Sequence, residues 1–163
     1  MSKNILVASL VGLAVVAIAV MLVLHGQRGA HIDLNGKILK VRTASIEDNA
    51  SLAVADFRVT NPADYPFVAD KVTLILVDAS GKRVEGDTIS EIDAKRIFES
   101  MPLLGEKYNA SLIKSGSVGA HQTVDRMTSA RFEVPESAIQ SRKNLILRIE
   151  EVDGRAVVEI PEK

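Results

Sequence analysis

The stretch Ser51-Leu52-Ala53-Val54-Ala55-Asp56-Phe57-Arg58-Val59-Thr60, closed by Asn61-Pro62-Ala63-Asp64-Tyr65-Pro66, decides the fold. Ala53, Ala55, Phe57 and Val59 recur at every second position. Asp56, Arg58 and Thr60 fill the alternate ones. Period two predicts a strand with one face on a core and the other toward water. The end is sharp. Both prolines lack a ladder donor, and Asn and Asp can hydrogen-bond their own backbone in turns.

Working outward, Leu39, Val41 and Thr43 predict an earlier strand over 37–46. Residues 67–77 end in Val-Thr-Leu-Ile-Leu-Val, a more fully buried strand. Asp78-Ala79-Ser80-Gly81 is a turn, and 82–88 is expected to pair back as a hairpin. Ser90 opens a helix with a capping-box-like Ser90-Glu91-Ile92-Asp93. Ala94, Ile97, Phe98 and Met101 form one apolar stripe, and Pro102 stops the helix. So short a helix cannot stand alone, so it is expected to plug one end of a sheet domain. Residues 103–123 are long and irregular, with room for a strand at 111–114. Alternation resumes from Val124 through Thr128, Ala130, Phe132 and Val134. Leu145, Leu147 and Ile149 give the next strand, and Asp153-Gly154 a hairpin turn. Ala156, Val158 and Ile160 give the last.

Residues 5–24 carry no charge, and thirteen of the twenty are Leu, Ile or Val. As a helix they span about 30 Å, the hydrocarbon thickness of a bilayer. Their transfer favours insertion by roughly 4 to 8 kcal/mol. A cleaved leader fits less well, because a cut after Ala30 places Arg28 where a small residue is wanted. The expectation is a single-pass anchor with the N-terminus inside and the C-terminal domain on the extracytoplasmic side. The expected organisation is a tail and transmembrane anchor at 1–26, a linker at 27–36, a sandwich domain at 37–160 and a tail at 161–163. The fold class is mainly β: a transmembrane helix, then an immunoglobulin-like antiparallel β-sandwich with one inserted short helix.

Phe57-Arg58-Val59-Thr60-Asn61-Pro62, followed by Phe67 and a Val-Thr-Leu-Ile-Leu strand, resembles the late-embryogenesis-abundant type 2 (water-stress, WHy-type) domains. Leu76-Val77-Asp78-Ala79-Ser80-Gly81 and Phe132-Glu133-Val134-Pro135 are similar to bacterial immunoglobulin-like domains that sit behind a membrane anchor. The helix at 90–101 and the loop after it depart from both patterns. Ala120-His121 stands where the bacterial group often has Pro-Gly. The resemblance implies a non-enzymatic extracytoplasmic module and carries over no catalytic residue.

The residues themselves point the same way. Without Lys3, the 20 basic side chains become 19 against 21 acidic ones, so there is no basic excess for nucleic acid. No cysteine is present, which removes disulfides and thiol chemistry. Of the histidines, His25 marks the end of the apolar run. His31 with Asp33 is only a two-ligand fragment of a metal site. Ser115, Ser117, His121 and Asp125 can be written as a Ser-His-Asp set, but no nucleophile-elbow motif accompanies them. Asp125-Arg126 reads instead as an outward ion pair with a sheet neighbour. Asn49 and Asn109 open glycosylation triplets that matter only in a eukaryotic secretory pathway.

No cofactor or metal is expected. The partners expected are the lipid bilayer and another envelope protein. Binding is placed on the loops at 61–66 and 103–123, with Asn61, Pro62, Asp64, Tyr65, Tyr108 and His121 as the contact residues. A stress-protective, lipid-contacting protein is the alternative, and a hydrolase using His121 the third reading.

Overall fold

The computed structural model describes residues 12–22, 34–153 and 156–162. The chain divides into two compact units, 1–31 and 32–163. In the first, residues 12–22 are α-helical and solvent-exposed throughout. The rest of the expected anchor, 5–11 and 23–24, lies outside the described residues, as do 27–33 of the linker. Among the described residues, no helix is long and apolar enough to cross a membrane.

The second unit is mainly β, with two antiparallel sheets face to face. Strands β1 (Asn35–Glu47), β2 (Ala50–Thr60), β3 (Phe67–Val77), β4 (Arg83–Glu85) and β5 (Asp87–Thr88) lead into helix α1 (Glu91–Ser100). A 3-10 turn (Pro102–Leu104), β6 (Ser117–Val118), β7 (Thr123–Phe132), helix α2 (Glu136–Gln140), β8 (Asn144–Glu151) and β9 (Val157–Pro161) complete the order. One sheet runs β1-β2-β7-β5 and the other β4-β3-β8-β9, with β6 also on β3. Between them lies the main core, which includes Phe57, Phe67, Leu74, Phe132 and Leu147. Ala53, Ala55, Phe57 and Val59 of β2 face it as their spacing predicts.

The other face of β2 is a correction. Asp56 was expected toward water, yet it is 5% exposed, and Leu52 and Val54 beside it are fully buried. They form a second apolar cluster with Ala94, Phe98, Leu104 and Met127. The α1 stripe is real, but the helix covers the outside of the first sheet instead of plugging an end. Ser90 caps it as predicted, its hydroxyl accepting from Asp93 N. The physical reason is apolar area: Leu52 and Val54 gain stability under a helix and lose it in water.

Other differences are local. The register of β1 slips between Ile38 and Lys40, so Leu39 is the extra residue of a bulge and is 44% exposed. Ile38 takes its place against the core beside Val41. The hairpin expected over 82–88 is half right. Arg83–Glu85 pairs back on Ile75–Val77, but Asp87–Thr88 crosses to the other sheet and pairs with Arg131 and Ala130. Gly86 is the crossing point. A Cβ there would lie 2.6 Å from Phe132 Cζ, so only glycine lets the chain pass. The strand sought at 111–114 reduces to one parallel bridge, Ser111 to Met127, and the strand forms at Ser117–Val118 instead. Helix α2, which follows Pro135 and buries Ile139, was not foreseen. The last two strands bury Leu145, Leu147, Ile149, Val158 and Ile160 as expected. Gly154 of their turn lies outside the described residues.

Candidate functional site

The loop after β2 is built on Asn61, which is fully buried. Its Nδ2 donates to Tyr65 O at 2.8 Å and to Val118 O at 3.0 Å. Its Oδ1 accepts from Ala63 N at 3.0 Å, and its own N donates to Gln122 O at 2.9 Å. One side chain thus ties 61–66 to the segment at 117–122. His121 N donates to Ala63 O, and His121 Nε2 lies 2.8 Å from Asp64 Oδ1. His121 holds φ 55°, a left-handed conformation uncommon outside glycine. Pro62, Asp64, Tyr65 and His121 are exposed around this clamp. Five of the six expected contact residues are therefore brought together, with Asn61 as their support beneath the surface.

Tyr108 is not among them. It is 70% exposed, but its neighbours belong to the layer outside the first sheet. Asn109 Nδ2 donates to Asp56 Oδ1 at 2.9 Å, so the amide of that glycosylation triplet is already engaged. Asp56 Oδ2 takes Arg42 Nη2 at 2.7 Å, and both side chains are 8% exposed. Arg42 Nη1 donates to Leu104 O and Glu106 O, and its guanidinium lies 4.8 Å from the Phe98 ring centroid. Lys107 Nζ and Ser111 N reach the two oxygens of Glu91. Burial raises the Glu91 pKa, but the bonds from Lys107 and Ser111 outweigh it and hold the carboxyl below its usual range. This network fixes 102–111 against the sheet.

The catalytic set does not assemble. Arg58 holds Asp125 through Nε at 2.6 Å and Nη2 at 2.8 Å, across the β2–β7 register. That contact lowers the Asp125 pKa, its hydrogen bond being the main cause. His121 turns to Asp64 instead. Asp125 is thus the outward cross-strand ion pair expected of it, with Arg58 as the partner. His25, His31 and Asp33 lie outside the described residues. Among the described residues, no three His, Asp or Glu side chains gather to hold a metal ion.

Sequence reasoning missed a groove of about 580 Å³ on the open side of the sandwich. Asp70, Lys71 and Val72 of β3 line one wall. The crossover from Glu85 to Glu91 lines another, and Ile113 with Lys114 closes it. Lys71 Nζ is 2.6 Å from Glu85 Oε1, and Lys114 Nζ is 2.7 Å from Asp70 Oδ1. The sequence signal was Gly86, a lone glycine inside a strand pattern.

No family model matches the sequence, and no curated protein is similar to it. A match among solved structures is the crystal structure of an uncharacterized β-sandwich protein from Clostridium difficile 630. It is 12% identical, with 78% of this chain and 85% of that one covered and a TM-score of 0.42. No residue role is carried over from it.

Proposed function

We propose that this chain is a non-catalytic binding module, anchored by 5–24 in a membrane, whose extracytoplasmic immunoglobulin-like domain holds another envelope protein. The strand orders β1-β2-β7-β5 and β4-β3-β8-β9 support the immunoglobulin-like reading, since they follow the A-B-E-D and C′-C-F-G arrangement. The exposed apolar helix at 12–22 is consistent with the anchor.

The observation that carries the function is the clamp at Asn61. It stiffens two loops at one end of a rigid sandwich and leaves Asp64, Tyr65 and His121 exposed side by side. Binding surfaces are commonly made of loops positioned in this way, and a pre-ordered loop loses less entropy on docking. Asn35 pairs with Thr60, and Thr60 with Thr123, so the chain enters the domain at this same end.

The test keeps Asn61. A photo-crosslinking residue in place of the exposed Pro66 of the full chain, in its native membranes, is expected to capture one defined envelope protein. The triple variant Asp64→Ala, Tyr65→Ala, His121→Gly should lose the interaction while the domain stays folded. Unchanged capture by the triple variant would contradict the reading. The likeness to water-stress domains at Asn61-Pro62 supports the alternative, a stress-protective protein, which predicts better survival on drying with the chain than without it.

A further inference from the structure

We propose that residues 90–109 form a lid, hinged on β7 and latched by Arg42 of β1, that lifts from the first sheet while the sandwich stays folded. The inference depends on neither the loop-end reading nor the membrane anchor.

The hinge is read from the main chain. Ile89 N donates to Ser129 O, Met127 N donates to Ala110 O, and Leu112 N donates to Met127 O. The segment therefore leaves and rejoins the sheet at two neighbouring places on one strand. Between them, among the described residues, no main-chain group of 90–109 bonds to the main chain of the sheet. The segment also braces itself. Glu91, near its start, takes Lys107 Nζ at 2.7 Å and Ser111 N at 3.0 Å, both near its end. A segment with adjacent ends and internal ties can swing as one body.

The latch lies at the far side of the sheet. β2 stands between β7 and β1, and the segment reaches across it. At β1, Arg42 Nη1 donates to Leu104 O and Glu106 O, both at 2.8 Å. Asn109 Nδ2, beside the hinge, reaches Asp56 of β2 at 2.9 Å.

The two apolar clusters divide in the same way. Ala94, Phe98 and Leu104 cover Ala44, Leu52, Val54 and Met127. The main core contains no residue of 90–109. Lifting the lid thus opens one cluster and leaves the other intact. The closed state also carries polar costs. Arg42 Nε at the latch, Ser111 Oγ at the hinge and Ser129 Oγ, opposite Val54, are buried without a hydrogen-bond partner among the described residues. The Arg42–Asp56 ion pair is nearly shielded from water. Opening returns these groups to water, which offsets part of the apolar loss. Openings of this kind lie between fraying and global unfolding in free energy.

The chain has no cysteine, so one introduced thiol reports on one face. Val54→Cys places it under the lid, and Val59→Cys makes the same change on the core face of the same strand. Each full chain, in detergent, is labelled with a thiol reagent at several urea concentrations below the unfolding transition. Without urea, the Val54→Cys thiol is expected to react at least about tenfold faster than the Val59→Cys thiol. Its rate should depend only weakly on urea, because lid opening exposes less surface than unfolding. The Val59→Cys thiol should react through global unfolding, with a steep urea dependence. Two further changes separate the states. Arg42→Lys replaces a forked donor by one ammonium that cannot reach Asp56 and both carbonyls together, and should quicken Val54→Cys labelling about tenfold. Ile149→Val weakens the main core, which the open state keeps. It should quicken Val59→Cys labelling about fivefold and leave Val54→Cys labelling unchanged. Equal labelling of the two thiols, or one steep urea slope for both, would overturn the proposal. So would an Arg42→Lys variant that labels at the parental rate, or an Ile149→Val change that quickens both thiols alike.

Discussion

Asn61 uses both amide hydrogens and one acceptor position of its side-chain carbonyl on main-chain groups. Removing it strands Tyr65 O, Val118 O and Ala63 N at a buried position. Asn61→Ala is expected to cost about 2 to 4 kcal/mol, because unsatisfied buried groups cost more than the bonds gain. Urea denaturation of the full chain measures this, and a loss under about 0.5 kcal/mol would contradict the clamp. That Asn61 and Pro62 end a strand was legible, since turn chemistry is local. Its reach to Val118 was not, because 57 residues of chain separate them. The same limit explains Asp56. A carboxylate in an alternating strand reads as solvent-facing, and only Arg42 and Asn109, brought from distant segments, make its burial tolerable.

Helix α1 shows what periodicity settles and what it leaves open. The spacing of Ala94, Ile97, Phe98 and Met101 predicts a helix with one buried face, and the helix forms with Ala94 and Phe98 buried. Which surface it would cover was not written in that stripe. Leu52 and Val54, at the alternate positions of β2, held the answer. Phe98→Ala should cost about 3 kcal/mol by opening a cavity over the first sheet and removing the ring beside Arg42. Hydrogen exchange should then quicken in 91–111 before the core strands β2 and β8. Uniform acceleration throughout would show that the outer layer is not separable. At Leu39 the reading failed for a different reason. A bulge adds one residue to one strand, and alternation carries no marker for where it falls. Gly86 carried a marker, since a glycine inside a strand pattern signals a close approach.

At the scale of the molecule, the sandwich was legible because alternating segments and turn signals recur along the chain. The groove was not, because it arises where one strand leaves its sheet for the other, and Gly86 marks the crossing residue without saying where the chain goes. The reading of where the protein resides rests on 5–24. Alkaline extraction of membranes carrying the full-length chain tests it most directly. The chain is predicted to stay in the pellet at high pH and to be released only by detergent. Recovery of the chain in the alkaline supernatant would contradict the anchor and, with it, the account of a membrane-held binding module.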